Sequence, residues 1–211
     1  MKKLVLTTIT ALGLASVAPA VAQAPSVNLT IGKPGPGPEG TTTTVLYGER
    51  VEVSGELSNG QPNQIVELRV TPYRSTTRSV TVRTDAGGDF TFVHRPTIRT
   101  SYEARFGNST SNQEPYAHVR PSVGLRVLNA QRGLFRVTMA ARPEHVSRVV
   151  LFQRRISRTS WATVRRVRLR SSRLSARFTA RIPRGTHRVR ILVPQTPGYL
   201  RSTSRFVRVT R

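Results

Sequence analysis

The residues best suited to chemistry in this chain of 211 residues are arginines. Arg165 to Arg170 reads RRVRLR. As a half-buried strand it points Val167 and Leu169 inward and Arg166, Arg168 and Arg170 outward. Nearby segments repeat the arrangement. Arg173, Arg177 and Arg181 lie opposite the apolar set Leu174, Ala176, Phe178 and Ala180, and Arg188 and Arg190 lie opposite His187, Val189 and Ile191. Arg208 lies opposite Val207 and Val209. A guanidinium is a planar fork that bonds two phosphate oxygens at once. A wet sheet face carrying these nine arginines therefore suits a polyanion. Trp161, the only tryptophan, precedes the run in RTSWAT, on or near a hairpin. It reads as a stacking platform flanked by arginine or as packing at a sheet edge. Tyr199, in TPGYL, has the same two readings.

Catalytic chemistry has little to work with. The four histidines, His94, His118, His145 and His187, share no helical spacing, and no zinc-protease, nucleophile-elbow or nucleotide fingerprint occurs. Glu144 and His145 adjoin in a turn-like RPEH. An enzyme would need a cleft joining them to a hydroxyl. Asp85 and Asp89 bracket two glycines in DAGGD. That spacing fits a calcium loop or, more simply, a hairpin turn in which Asp caps the backbone. KPGPGPEG, from Lys33 to Gly40, lacks the Gly-Lys-Ser/Thr ending of a phosphate loop and reads as a semi-rigid lead-in. The sequence therefore implies no catalytic residues, no metal, no cofactor and no small-molecule substrate.

The elements that must carry these residues are strands. Val27 to Ile31, Thr43 to Leu46, Val51 to Val53, Ile65 to Val70, Ser79 to Arg83, Asp89 to Val93, Ser101 to Phe106 and Tyr116 to Arg120 each show alternation or a short β-rich run. Turn residues separate them, and Gly55 to Asn63 reads as polar and turn-forming. No stretch of 11 residues has a helical apolar period. Many short strands with frequent turns predict an antiparallel sandwich. The second half repeats the first: Phe135, Val137 and Met139 answer Val51, Val53 and Gly55, and Val150 and Phe152 answer Val66 and Leu68. Val167 and Leu169 answer Val80 and Val82, Phe178 answers Phe90, and His187, Val189 and Ile191 answer Tyr102, Ala104 and Phe106. The seam is the short stretch VRPSV, from Val119 to Val123, so the two units should join semi-rigidly.

Residues 1–22 read as a signal peptide. Lys2 and Lys3 precede an apolar run, and small residues at Ala20 and Ala22 suit cleavage after Ala22. The run is short for a membrane span of about 20 residues. Residues 23–121 and 122–211 then form a near-neutral and a strongly basic sandwich. The first holds ten Lys or Arg against nine acids, net +1, and the second holds 22 Arg against Glu144 alone, net +21. A genome biased towards Arg explains Arg in place of Lys. It does not explain why acids vanish from the second unit only.

VLYGERVEVSGEL, IVELRV, DAGGDFTF, SYEARF and VRPSVGLRV together resemble the tandem immunoglobulin-like repeats of secreted actinobacterial proteins. The resemblance covers Ser26 to Pro121 well and Ser122 to Arg211 loosely, because the DAGG turn becomes Ser171-Ser172-Arg173-Leu174 and Met139 replaces the glycine. It implies a fold of two consecutive immunoglobulin-like β-sandwiches and a non-catalytic spacer, adhesion or wall-associated module.

Three functions follow as expectations. The chain is an exported binding or structural module whose basic sheet grips an anionic wall polymer, acidic glycan, lipid headgroups or extracellular DNA. Alternatively it is a dedicated nucleic-acid binder, or a plain spacer whose arginines are only solvated. Arginines gathered on one sheet favour binding, and an even spread favours solvation.

Overall fold

The computed structural model describes residues 25–35, 39–111, 114–170 and 173–211. The signal-peptide segment 1–22 lies outside the described residues. The strands are β1 (Val27–Gly32), β2 (Thr42–Leu46), β3 (Val51–Leu57), β4 (Ile65–Pro72), β5 (Arg78–Arg83), β6 (Asp89–His94), β7 (Thr100–Phe106), β8 (Ser109–Thr110) and β9 (Tyr116–Arg120). They continue with β10 (Ser122–Asn129), β11 (Leu134–Ala140), β12 (Val149–Arg155), β13 (Trp161–Arg168), β14 (Ser175–Thr179), β15 (Thr186–Val193), β16 (Ser202–Thr203) and β17 (Val207–Thr210). Among the described residues no helix is long and apolar enough to cross a membrane.

The strands form two sandwiches. In the first, β1-β3-β6 faces β2-β9-β7-β4-β5, with β8 added to β7. In the second, β10-β11-β14 faces β13-β12-β15, whose far side pairs with β16 and β17. Among the described residues no ladder joins a strand before Pro121 to one after it. Lettered by position, each unit is A-B-E against C′-C-F-G. The first adds a strand, β2, that runs parallel to G (β9) and antiparallel to nothing. This is the strand order of the immunoglobulin-like sandwich. β2 lies in the sheet opposite β1, and an antiparallel Ile31–Gly40 bridge follows β1.

Inward residues alternate as the sequence predicts. Val51, Val53, Val66, Leu68, Val167 and Leu169 are all buried. The second core centres on Phe135, Phe152 and Phe178, with Phe152 4.8 and 5.1 Å from the other two across the sheets and Phe135 5.6 Å from Phe178 within one sheet. In the first, the Tyr102 hydroxyl lies 2.8 Å from His94 Nδ1. Burial, with help from Arg78, lowers the proton affinity of the half-buried His94.

Two sequence expectations are corrected. Gly55 to Leu57 is strand rather than turn. The Phe90 ring lies over Gly55 so closely that a Cβ there would fall 2.2 Å from the ring, so the glycine serves packing. The repeat is also rephased. Val167 sits opposite Val150, and it is Val82 that sits opposite Val66, so Val167 answers Val82 rather than Val80. Likewise Ile191 faces Phe152 as Ala104 faces Leu68. Phe90 faces Gly55, whereas Phe178 faces Phe135. An even slip preserves which face each residue uses, so alternation alone cannot detect it.

The junction is tightly bonded. Tyr199 is buried. Its hydroxyl accepts from the Arg142 N–H at 2.8 Å and donates to the Thr97 carbonyl of the first sandwich, and burial raises its pKa to about 12. Arg99 N–H donates to the Gly198 carbonyl, Leu200 N–H to the Val119 carbonyl, and Ser202 Oγ to the Pro121 carbonyl. Ile98 packs against Gly198, where a Cβ would lie 2.8 Å from its Cδ1. Of its two sequence readings, Tyr199 takes the packing role. Tyr199→Phe should strand the Arg142 N–H and Thr97 carbonyl and cost about 1–3 kcal/mol. Denaturant unfolding checks this, and an unchanged midpoint would show the junction bonds to be dispensable.

Candidate polyanion-binding face

The outer face of the C′-C-F-G sheet of the second sandwich is set by parity. Val150, Phe152, Val167, Val189, Ile191 and Val209 point into the core. Their neighbours Arg166 and Arg168 on β13, Arg155 on β12, Arg188 and Arg190 on β15, and Arg208 on β17 therefore point out. A bulge makes this arrangement compatible with Trp161. The register shifts between Phe152 and Gln153, leaving Val164 without a partner on β12. The shift lets Trp161 and Thr163 share the outer side with Arg166 and Arg168 although the spacing is odd.

Trp161 starts β13 opposite Arg155. The Arg190 guanidinium covers its ring at 4.1 Å, and Arg190 Nε donates to Gln153 Oε1 at 3.0 Å. Burial, with Arg201 adding repulsion, lowers the Arg190 pKa. Arg188 stacks on Phe206 at 4.8 Å, and Phe206 is 53% exposed. Guanidiniums and rings thus alternate across the face.

The nine predicted arginines do not share one surface. Arg166, Arg168, Arg188, Arg190 and Arg208 occupy the C′-C-F-G face. Arg177 lies on the opposite sheet, in a row in which Arg126 pairs with Arg136 and Arg136 with Arg177. Arg170 and Arg173 lie in the connection between β13 and β14, where Arg170 bridges to Ser175, and Arg181 follows β14. The single arginine face is therefore corrected to two faces and the two connections on either side of β14. The reason is that β13 and β14 are consecutive in sequence but belong to different sheets. Sequence reasoning missed Arg155, Phe206, Arg126 and Arg136. Each sits at an outward position that alternation marks: Arg155 two beyond Gln153, and Phe206 two before Arg208.

Like charges do meet across strands, at Arg188–Arg208, Arg126–Arg136 and Arg136–Arg177. Arg166 and Arg168 avoid this, because Leu151 and Val149 stand opposite them. Among the described residues the ion pairs are Glu103 with Arg69 at 3.1 Å and with Arg105 at 2.6 Å, both in the first sandwich. Glu144 is exposed. The His145 ring packs edge-on against Tyr73 across the junction, and the nearby Tyr199 hydroxyl is already bonded on both sides. His145 and the Tyr199 hydroxyl therefore serve as junction structure, and Glu144 makes no ion pair among the described residues. Asp85 Oδ1 accepts from the N–H groups of Gly87 and Asp89 at 2.9 and 3.0 Å, which is the hairpin-turn reading of DAGGD.

No protein-family model and no curated protein matches the sequence. Among solved structures, a tetra-tandem repeat from the extending region of a large adhesion protein is similar over 89% of this chain and 50% of its own, at 14% identity and TM-score 0.38. The chain thus spans half the length of that structure. Trypsin-activated alpha-2-macroglobulin from Escherichia coli is similar over 88% of this chain and 16% of its own, at 16% identity and TM-score 0.31. The FN1–FN3 domains of chicken CNTN1 are similar over 76% and 62%, at 16% identity and TM-score 0.29. The fold assignment rests on the strand order itself.

The triple row makes a direct prediction. Arg136→Glu puts an acid between Arg126 and Arg177 and should stabilise the chain by about 0.2–1 kcal/mol at low salt, with the gain shrinking as salt screens it. Thermal melts at two ionic strengths check this, and a fall in Tm at low salt would contradict it.

Proposed function

We propose that the chain is a non-catalytic, exported binding or structural module of two domains, 23–121 and 122–211, whose second domain holds a polyanion on its C′-C-F-G face. The observation that carries the reading is the content of that face. It presents Arg155, Arg166, Arg168, Arg188, Arg190 and Arg208, and the only acid of the whole unit, Glu144, lies in the turn after β11. Unneutralised guanidiniums at strand spacing repel one another, and a phosphate- or sulfate-bearing polymer relieves that repulsion while releasing its counterions. Anionic wall polymer, acidic glycan, lipid headgroups and extracellular DNA all offer this chemistry. The bonded junction supports the first domain as a spacer that holds the basic face at a fixed angle. The signal-like residues 1–22 and the resemblance to secreted actinobacterial repeats support a location outside the cytoplasm, on or near the wall.

A second reading, an extracellular nucleic-acid binder, draws on Trp161 and Phe206. Rings among arginines suit stacked bases, and Phe206 is exposed while Trp161 is half-buried beneath Arg190. A third, a plain spacer or adhesion module, needs no ligand.

Retention on immobilised heparin in a salt gradient tests the proposal. Elution above physiological salt is expected, moving to lower salt when Arg166, Arg168, Arg188 and Arg190 are changed together to Gln. Elution of the unmodified chain below physiological salt favours the plain spacer and ends the polyanion reading. Tighter binding to single-stranded DNA than to heparin, lost in Trp161→Ala, selects the second reading.

A further inference from the structure

A different part of the second sandwich carries a more defined site. At the end remote from the junction, the two sheets part around a concavity of about 740 Å³ whose lining includes Arg132, Arg165, Arg181 and Arg211. Its volume falls in the range of small-ligand sites, and no acidic side chain is among its lining residues.

Four separate segments supply the four arginines, and main-chain bonds hold those segments together. Arg132 lies in the turn between β10 and β11. Gly133, beside it, has φ of 59°, and a Cβ there would fall 2.3 Å from the Ala180 carbonyl oxygen. Only glycine lets this turn press against Ala180, and the Ala180 N–H bonds the Gly133 carbonyl at 2.9 Å. That contact brings Arg132 close to Arg181. Arg165 comes from β13. The bulge at Val164 turns it to the inner side, opposite Phe152, and its guanidinium donates to the Thr179 carbonyl. Arg211 is tied to Gly185 by a reciprocal pair of main-chain bonds, and its guanidinium donates to the Ile182 carbonyl at 3.0 Å. Two of the four guanidiniums are thus anchored through Nη1, Arg165 on Thr179 and Arg211 on Ile182, and each has further N–H groups with which to donate. The ordering cost of binding falls accordingly.

We propose that this concavity is a binding site for a compact, multiply charged oxyanion, an oligophosphate group being the chemistry that fits best. Four arginines lining one concavity exceed what one carboxylate or one orthophosphate needs, while linked phosphates supply enough oxygens to engage them all. The flat C′-C-F-G face grips charge along a length. The concavity gathers charge at a point. The site goes beyond the reading of the flat face and does not depend on it.

Isothermal titration of the full chain with sodium tripolyphosphate, pyrophosphate and orthophosphate at constant physiological ionic strength tests the proposal. The expected result is saturable binding of one tripolyphosphate per chain, weakening from tripolyphosphate to orthophosphate. Arg165→Gln with Arg181→Gln should weaken it about ten-fold or more, and Arg166→Gln with Arg168→Gln should leave it unchanged. Arg165→Lys with Arg181→Lys keeps the charge but loses the forks, and should fall between. ATP should bind no tighter than tripolyphosphate if the phosphates alone are recognised. Uptake of several anions per chain, or equal losses in the 165/181 and 166/168 pairs, would overturn the site. Neither result would alter heparin retention by the flat face, so the two proposals fail separately.

Discussion

The second sandwich folds against its own charge. It carries 22 arginines and one acid, and its ladders set Arg188 against Arg208 and Arg136 between Arg126 and Arg177. Each such pair is destabilising. What opposes the repulsion is the apolar interior, where Phe135 and Phe178 from one sheet meet Phe152 from the other. Chain length is spent on many short strands, so nearly every second residue is available to water, and in this unit arginine fills many of those places. Where the ladders set Leu151 and Val149 opposite Arg166 and Arg168, repulsion is eased without any acid. Cation–π stacking of Arg190 on Trp161 and Arg188 on Phe206 spreads the charge over rings.

The first sandwich shows that the scaffold itself does not require arginine. Its A-B-E sheet has the same strand order, yet its outer side carries Glu52, Glu56 and Asp89, with Glu56 directly opposite Asp89. The corresponding side of the second unit carries Arg126, Arg136 and Arg177. Both units bury an alternating apolar set of the same kind, so the difference between them lies on the surface. Bonds and packing tie the two units together at the junction. Tyr199, Ile98 and Gly198 interlock there, and four main-chain or side-chain bonds cross between Arg99, Val119, Pro121 and Thr97 on one side and residues 198–202 on the other.

Much of the fold was legible in the sequence, because alternation reports which face a residue uses. RRVRLR is strand through Arg168, with Val167 and Leu169 inward, as the pattern requires. Three things were not legible, each for a physical reason. The register of the repeat slipped by even steps, which alternation does not see. Consecutive strands β13 and β14 went to different sheets, so arginines adjacent in sequence ended on opposite sides of the sandwich. The end-on concavity is assembled by Gly133 against Ala180 and by a bulge at Val164, contacts that bring together residues far apart in the chain. Gly133 sits in AQRGL, and nothing in its neighbours signals the close approach of Ala180.

The central claim is that the C′-C-F-G face, and not arginine content in general, meets the polyanion. The arginine side-chain Nε–Hε resonances of the chain, followed by NMR during titration with a short heparin oligosaccharide, test it most directly. The account predicts that Arg166, Arg168, Arg188, Arg190 and Arg208 shift and saturate together while Arg126, Arg136 and Arg177 on the opposite sheet stay in place. Shifts of equal size on both sheets would contradict it.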